Sequence, residues 1–206
     1  MSATLERQTG HFPEELPPFP VRRWSLDEYH ALIEQGMFED ERVELLEGWI
    51  VPKMTKNPPH EATIYGIAEK LRRVLPQEVS VRQQAAVTLS ASEPEPDLSI
   101  VRGDARQYLD RHPSGADIYL VIEVSDSSLS RDRRKAEIYA KSAIPNYWIV
   151  DLNSNQIEAH SQPHHAEKHF EKSVLRKLGE TLSLSIEGRD FEIRIDHEFL
   201  PAAGKS

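Results

Sequence analysis

The chain has 206 residues, of which 38% are hydrophobic and 29% charged, and this is enough for one globular domain with a hydrophobic core. No apolar run approaches the ~20 residues that span a bilayer, and the N-terminus lacks the apolar stretch of a secretory signal, so we expect a cytoplasmic protein. The absence of cysteine excludes disulfides, thiolate nucleophiles and cysteine-ligated zinc. The net charge of −9 argues against a protein that coats nucleic acid through a broad basic surface, but it does not exclude an enzyme with a local basic groove.

The N-terminal part of the chain predicts an arm, two helices and a hairpin. Residues 1–22 contain four prolines and little periodicity, which predicts a flexible arm. The elements predicted after it are a helix from Ser25, which forms a capping box with Glu28, to Gly36, a hairpin over 42–51 turned at Glu47-Gly48, and a helix from His60 to Leu75.

The C-terminal part alternates strands with one more helix. The predicted elements are strands at 79–90, 97–101 and 117–125, a charged helix at 131–142, a strand pair at 146–152 and 156–162, and a β-meander to about 195. Helices between strands indicate a mixed α/β sheet, so we expect a single domain over 23–195 and a frayed tail over 196–206.

Three acidic residues occur in apolar strand contexts and not on polar faces. Asp97 follows Pro96 and opens an apolar strand, Glu123 lies inside the run LVIEVS, and Glu44 lies between valine and leucine. Burial of a carboxylate is unfavourable unless it is paired, protonated or bound to a cation. Each one alone could lie on a solvated face or cap a turn, but together they predict the oxygen-rich site that magnesium prefers.

Lys135 is the basic residue that fits this site best. It lies one turn into the helix that follows the Glu123 strand, and the first turn of such a helix points toward the strand end. A lysine there can position the attacking water and offset phosphate charge. The alternative is a solvated lysine in the run RDRRK, and Arg134 and Lys141 are competing candidates.

Two long segments carry a resemblance to a known family: QQAAVTLSASEPEPDLSIV and HPSGADIYLVIEVSDSSLSRDRRKAEIYAKSAIPNYWIVDL. From about Trp24 to Pro163 the chain resembles the bacterial Uma-type endonucleases, a branch of the PD-(D/E)XK nuclease superfamily. The proline–aspartate step, the IEVSDSS strand end, the downstream lysine and the closing IPNYWIVD occur in the family's order. The resemblance implies a restriction-endonuclease-like mixed β-sheet core flanked by helices, with the β-meander as an addition.

The resemblance also implies roles for individual residues. Asp97 matches the metal-binding aspartate, Glu123 the acid of the (D/E)XK element, and Glu44 an upstream glutamate that often joins the same site. The chain departs from the superfamily pattern at Ser125, where the usual residue is lysine. Lys135 on the next helix is the residue that fits this role.

One histidine and one glutamine complete the set of candidates, and three further histidines are not part of it. His60 matches a histidine of many relatives and is predicted to contact substrate or transfer a proton, although a backbone-bonded helix-terminal histidine is the alternative. Gln84 is a weaker substrate-binding candidate. His164, His165 and His169 are closely spaced and are predicted to lie on the surface of a hairpin.

The function predicted from these residues is metal-dependent hydrolysis of DNA phosphodiester bonds, with Mg²⁺ or Mn²⁺ as cofactor. A homodimer is expected because an enzyme that cuts both strands usually needs two active sites. Two alternatives remain open: a nuclease fold that has lost catalysis and acts as a binding or assembly module, and hydrolysis of a small phosphoester by the same residues.

Overall fold

The computed structural model describes residues 20–53 and 57–201. Within these ranges the chain forms three α-helices and ten strands around one large sheet. The elements in chain order are α1 (Leu26–Glu34), β1 (Val43–Leu46), β2 (Trp49–Pro52), α2 (Pro58–Val74), β3 (Val79–Gln83), β4 (Leu98–Arg102), β5 (Ile118–Ser125), α3 (Leu129–Lys141), β6 (Asn146–Asp151), β7 (Gln156–His164), β8 (His169–Lys177), β9 (Thr181–Ile186) and β10 (Arg189–Arg194). None of these helices is long and apolar enough to cross a bilayer.

The six-stranded sheet has the order β3-β4-β5-β6-β7-β8. Strands β5 and β6 are parallel and are joined by α3, whereas every other neighbouring pair is antiparallel. A parallel pair needs a crossover connection, which here is the helix. The predicted mixed α/β sheet flanked by helices is therefore confirmed.

Each face of the sheet packs against its own layer. Because side chains alternate along a strand, β5 sends Leu120, Ile122 and Val124 toward α2, and Val121 toward α3. Glu123 alternates with its neighbours in the same way and lies on the α3 face. The strand is buried on both sides, as the continuous apolar run predicted.

Helices α1 and α2 begin where the sequence places capping residues. The Ser25 hydroxyl accepts from the Glu28 backbone N–H and the Glu28 carboxylate accepts from the Ser25 N–H, so the predicted capping box is present. Helix α2 begins at Pro58 with Asn57 as its N-cap, and the Asn57 side chain accepts from the His60 backbone N–H at 3.1 Å. Its apolar face is buried against the sheet.

The predicted long strand over 79–90 is wrong. Strand β3 ends at Gln83, because Gln84 adopts a left-handed conformation with φ of 49° and its N–H donates to the Asp97 carbonyl. Beyond it, Val87 and Leu89 are buried by an irregular loop whose N–H groups bond to the carbonyls of Pro94 and Ser92. The apolar alternation of the sequence therefore continues beyond the end of the strand, into a loop that is not part of the large sheet.

The C-terminal region also differs from the prediction. Only β7 and β8 extend the large sheet, whereas β9 and β10 form a separate two-stranded sheet. The tail expected to fray from 196 is packed through Leu200, since Phe199 and Leu200 are fully buried in the α2-side core. Gly66 of α2 allows this close approach: a Cβ there would lie 2.9 Å from the Glu198 carbonyl oxygen. Residues 202–206 and most of the predicted arm, 1–19, lie outside the described residues.

Candidate active site

Asp97 and Glu123 meet at one edge of the sheet. Asp97 immediately precedes β4 and Glu123 lies near the end of β5, and because these strands are antiparallel the two positions are neighbours. The Val124 N–H donates to Asp97 Oδ2 at 2.9 Å, and the Asp97 N–H donates to Glu123 Oε2 at 3.2 Å. These two backbone hydrogen bonds fix the orientation of each carboxylate, and both side chains are buried.

Helix α3 places Lys135 against the same carboxylates. The Lys135 Nζ lies 2.9 Å from Glu123 Oε1, and the Tyr139 hydroxyl donates to the same oxygen at 3.1 Å. Lys135 and Tyr139 are four residues apart and so lie on one face of the helix, the face that packs on the sheet. The lysine is only 6% exposed, so its charge is held inside the protein.

Glu44 reaches the site from β1. Its carboxylate is buried and lies 3.1 Å from Lys135 Nζ through Oε1, while Arg131 donates to Oε1 at 2.7 Å. Lys135 therefore bridges Glu44 and Glu123 from its place on α3. Of the competing basic residues, Arg134 is exposed and Lys141 pairs with Glu47 at 2.8 Å.

The two weaker candidates have different positions. His60 lies in the first turn of α2 with its Nε2 3.2 Å from Asp97 Oδ2, so it belongs to the same cluster. Gln84 approaches Asp97 only through its backbone N–H, at 3.0 Å, and its side chain is not among those that line the cleft. The structure brings His60 to the predicted site and leaves the Gln84 side chain outside it.

These residues line an open cleft. Its walls carry six carboxylates and three permanent cations, which leaves a formal excess of three negative charges. The lining residues are Glu44, Lys53, Asn57, His60, Glu95, Asp97, Glu123, Val124, Asp126, Ser127, Ser128, Arg131, Asp132 and Lys135. An excess of carboxylates in a partly enclosed cleft attracts cations, and divalent ions most strongly.

Burial and neighbouring charges shift the pKa values of this cluster in opposite directions. Burial raises the pKa of Glu123 to about 7, because burial together with the nearby charges of Asp97, Asp132 and Glu44 outweighs the opposite effect of Lys135. Burial acts to raise the pKa of Glu44, but Lys135 and Arg131 outweigh it and the pKa falls below its ordinary value. Burial acts to lower the pKa of Lys135, whereas Glu123 and Glu44 raise it overall, so the lysine stays charged.

The donor set fits a magnesium ion held mainly by two residues. Magnesium is usually bound by one or two carboxylates and keeps several of its waters. Asp97 and Glu123 lie side by side and present such a pair, whereas Lys135 separates Glu44 from Glu123. In the described part of the chain, the cleft carboxylates do not bring one oxygen from each of three residues within 4.8 Å of one another.

The sequence reasoning missed several residues of the cleft region, among them Asp132, Tyr139, Arg131 and Lys53. Asp132 and Tyr139 lie three residues before and four after Lys135, so helical spacing could have identified both. Arg131 is four residues before Lys135 and could have been found in the same way. Lys53, which contacts the Glu95 carbonyl at 2.7 Å, follows a short strand with no distinguishing pattern.

Comparisons with known proteins agree with this fold. The model of the Uma2 family, described as "Putative restriction endonuclease", matches residues 26–196. A crystal structure described as "a putative nuclease belonging to DUF820 from Anabaena variabilis ATCC 29413" has a TM-score of 0.62 at 14% identity, covering 81% of this chain and 89% of the other. No curated protein matches the chain. Because the family model covers most of its length, the chain belongs to the Uma2 family.

Proposed function

We propose that the protein is a metal-dependent endonuclease that hydrolyses DNA phosphodiester bonds with Mg²⁺ or Mn²⁺. The observation that carries this proposal is the buried Lys135 beside Asp97 and Glu123 at the floor of an acidic, open cleft. Two carboxylates and a lysine at one sheet edge provide a cation site and a positive charge for phosphate in the same small volume.

Each residue has a distinct part in this proposal. Asp97 and Glu123 would hold the ion, which when bound activates a water molecule and offsets charge on the phosphate oxygens. Lys135 would hold the attacking water or the scissile phosphate, and Glu44 would keep that lysine in place. Glu44 could join the ion directly, as the sequence predicts, only if Lys135 moved aside. His60 would orient the Asp97 carboxylate.

Substrate binding by this acidic chain depends on the cation. The cleft carries more carboxylates than cations, and the whole chain has a net charge of −9, so DNA is repelled until the excess charge is offset. We expect weak DNA affinity in EDTA and stronger affinity with Mg²⁺. A homodimer, which would supply one cleft for each strand, belongs to the same proposal.

Cleavage of supercoiled plasmid tests the assignment. Wild-type protein is expected to nick the plasmid with Mn²⁺ or Mg²⁺ and to be inactive in EDTA, and Asp97→Asn is expected to remove the activity while the circular-dichroism spectrum is unchanged. Asp190→Asn is the matched control, because Asp190 is exposed on the separate β9–β10 hairpin. Equal nicking by the wild type and Asp97→Asn would refute the proposed site.

A binding module without catalysis is the second candidate. The observation that favours it is the ammonium group of Lys135, which already bridges Glu44 and Glu123 without a metal. Calorimetry with Mn²⁺ separates the two functions. A catalytic site binds the ion and loses it in Asp97→Asn, whereas a module that has lost its metal site gives the same titration curve with both proteins.

A further inference from the structure

The tip of the β7–β8 hairpin carries a second group of metal-ligating side chains. His164 and His169 are directly opposite each other in the ladder, and Glu167 lies in the four-residue loop between them. The two imidazole rings are stacked, with centroids 5.6 Å apart and planes inclined by 15°. Strand pairing thus holds two imidazoles side by side at the surface, next to one carboxylate.

The ligand atoms are almost at coordination distance. One ligand atom from each of the three residues lies within 4.8 Å of the others, and His169 Nδ1 is 3.6 Å from Glu167 Oε2. Two ligands bound tetrahedrally at ~2.1 Å from a zinc ion are about 3.4 Å apart. Because the side chains of Glu167 and His169 are exposed, they have room to rotate toward this spacing.

The position of His164 also suits a metal. Its Nδ1 accepts a hydrogen bond from the Glu167 backbone N–H at 3.2 Å, which orients the ring toward the loop, and an ion bound through this nitrogen would take the place of that N–H. Neutral imidazole is the form that binds metals. The side chains of His169 and Glu167 are 49% and 67% exposed, which gives an ion and its remaining water ligands access.

We propose that His164, Glu167 and His169 form a binding site for a divalent transition metal of the zinc type, separate from the acidic cleft. Two imidazole nitrogens and one carboxylate favour zinc, nickel or copper over magnesium. The metal would fasten the end of β8, an edge strand of the large sheet, to β7. It would also steady the contact between His165 Nδ1 and the Lys141 carbonyl at the end of α3. The proposal does not depend on nuclease activity.

Calorimetric titration of Zn²⁺ into the full chain, with any affinity tag removed, tests this site. The wild type is expected to bind one equivalent at this site besides the ion of the acidic cleft, and His164→Ala/His169→Ala is expected to weaken the binding of that one equivalent by at least about tenfold. His165→Ala is the matched control from the same loop and should bind as the wild type does. Asp97→Asn should also retain the binding, which separates this site from the cleft.

A second measurement and a second variant keep the test decisive. Co²⁺ bound by two imidazoles gives visible absorption bands, which should appear with the wild type and disappear in the double variant. Glu167→Gln should weaken the binding without affecting the fold, because Glu167 is exposed. Absence of Zn²⁺ binding by the wild type, equal binding by the double variant, or loss of binding in His165→Ala or Asp97→Asn would each overturn the proposal.

Discussion

Replacing Lys135 by methionine is the most informative test of the buried charge network. The methionine keeps most of the unbranched stem and removes the ammonium group, which lies 2.9 Å from Glu123 Oε1 and 3.1 Å from Glu44 Oε1. Both carboxylates are almost completely buried, so they lose a positive partner that water does not replace. The change therefore measures the free energy of holding two buried carboxylates without their shared cation.

The expected loss follows from the contacts that remain. Removing one partner of a buried ion pair costs about 3–5 kcal/mol of folding free energy. Here Arg131 still bonds Glu44 and Tyr139 still bonds Glu123, which places the expected loss near the lower end, at about 3 kcal/mol. Lys141→Met is the matched control, since Lys141 pairs with Glu47 where both side chains are partly exposed, and an exposed pair contributes about 0–1 kcal/mol.

Equilibrium unfolding in urea with EDTA present gives both values. The midpoint for Lys135→Met is expected to fall well below that for Lys141→Met, with equal slopes of free energy against urea concentration. Equal midpoints for the two variants would refute the reasoning, because they would mean that the buried ammonium contributes no more than a surface one. A changed slope would show instead that the native state had loosened.

Two further predictions concern other parts of the molecule. Burial lowers the pKa of His160 below its ordinary value of 6.5, so the unfolded chain binds more protons and stability falls as pH drops below about 6.5. This histidine adds at most about 1.4 kcal/mol per pH unit to the slope of unfolding free energy against pH. Urea titrations at several pH values should find this contribution missing in His160→Gln and present in His112→Gln, the control at an exposed position. Equal slopes for the two variants would contradict the prediction. Phe199→Ala should lower the free energy of unfolding by about 3–5 kcal/mol, because the ring is fully buried. Leu178→Ala, at a 41% exposed position, should have a much smaller effect, and equal effects would mean that the tail is not part of the core.

Periodicity predicted most of the fold because most elements are locally determined. The capping box at Ser25, the turn at Glu47-Gly48 and the continuous apolar run of β5 each depend on neighbouring residues, and each is present in the structure. The errors occurred where distant residues decide the outcome. Gln84 leaves β3 in a left-handed conformation while its N–H bonds the distant Asp97 carbonyl, and Phe199 is buried in the core that includes the distant helix α2. A local pattern carries no information about either contact.

The residues of the candidate site could likewise be predicted from local sequence, whereas their mutual arrangement could not. Acidic residues in apolar strands identified Glu44, Asp97 and Glu123, and the structure places all three on one cleft with Lys135. Their mutual arrangement could not be read from the sequence. Composition gave no sign that the lysine would separate Glu44 from Glu123, since that depends on the distance between β1 and α3.

The position of Ser125 explains how a lysine from the helix can occupy this site. Residues 123 and 125 lie on the same face of β5 because side chains alternate, and that face is covered by α3. A lysine at 125 and a lysine in the first turns of α3 would therefore approach the cleft from adjacent positions. In this chain Ser125 is buried with its hydroxyl 3.5 Å from that of Ser128, and Lys135 brings the ammonium to Glu123 from the helix. An ammonium group beside Glu123 can therefore come from position 125 of β5 or from the first turns of α3.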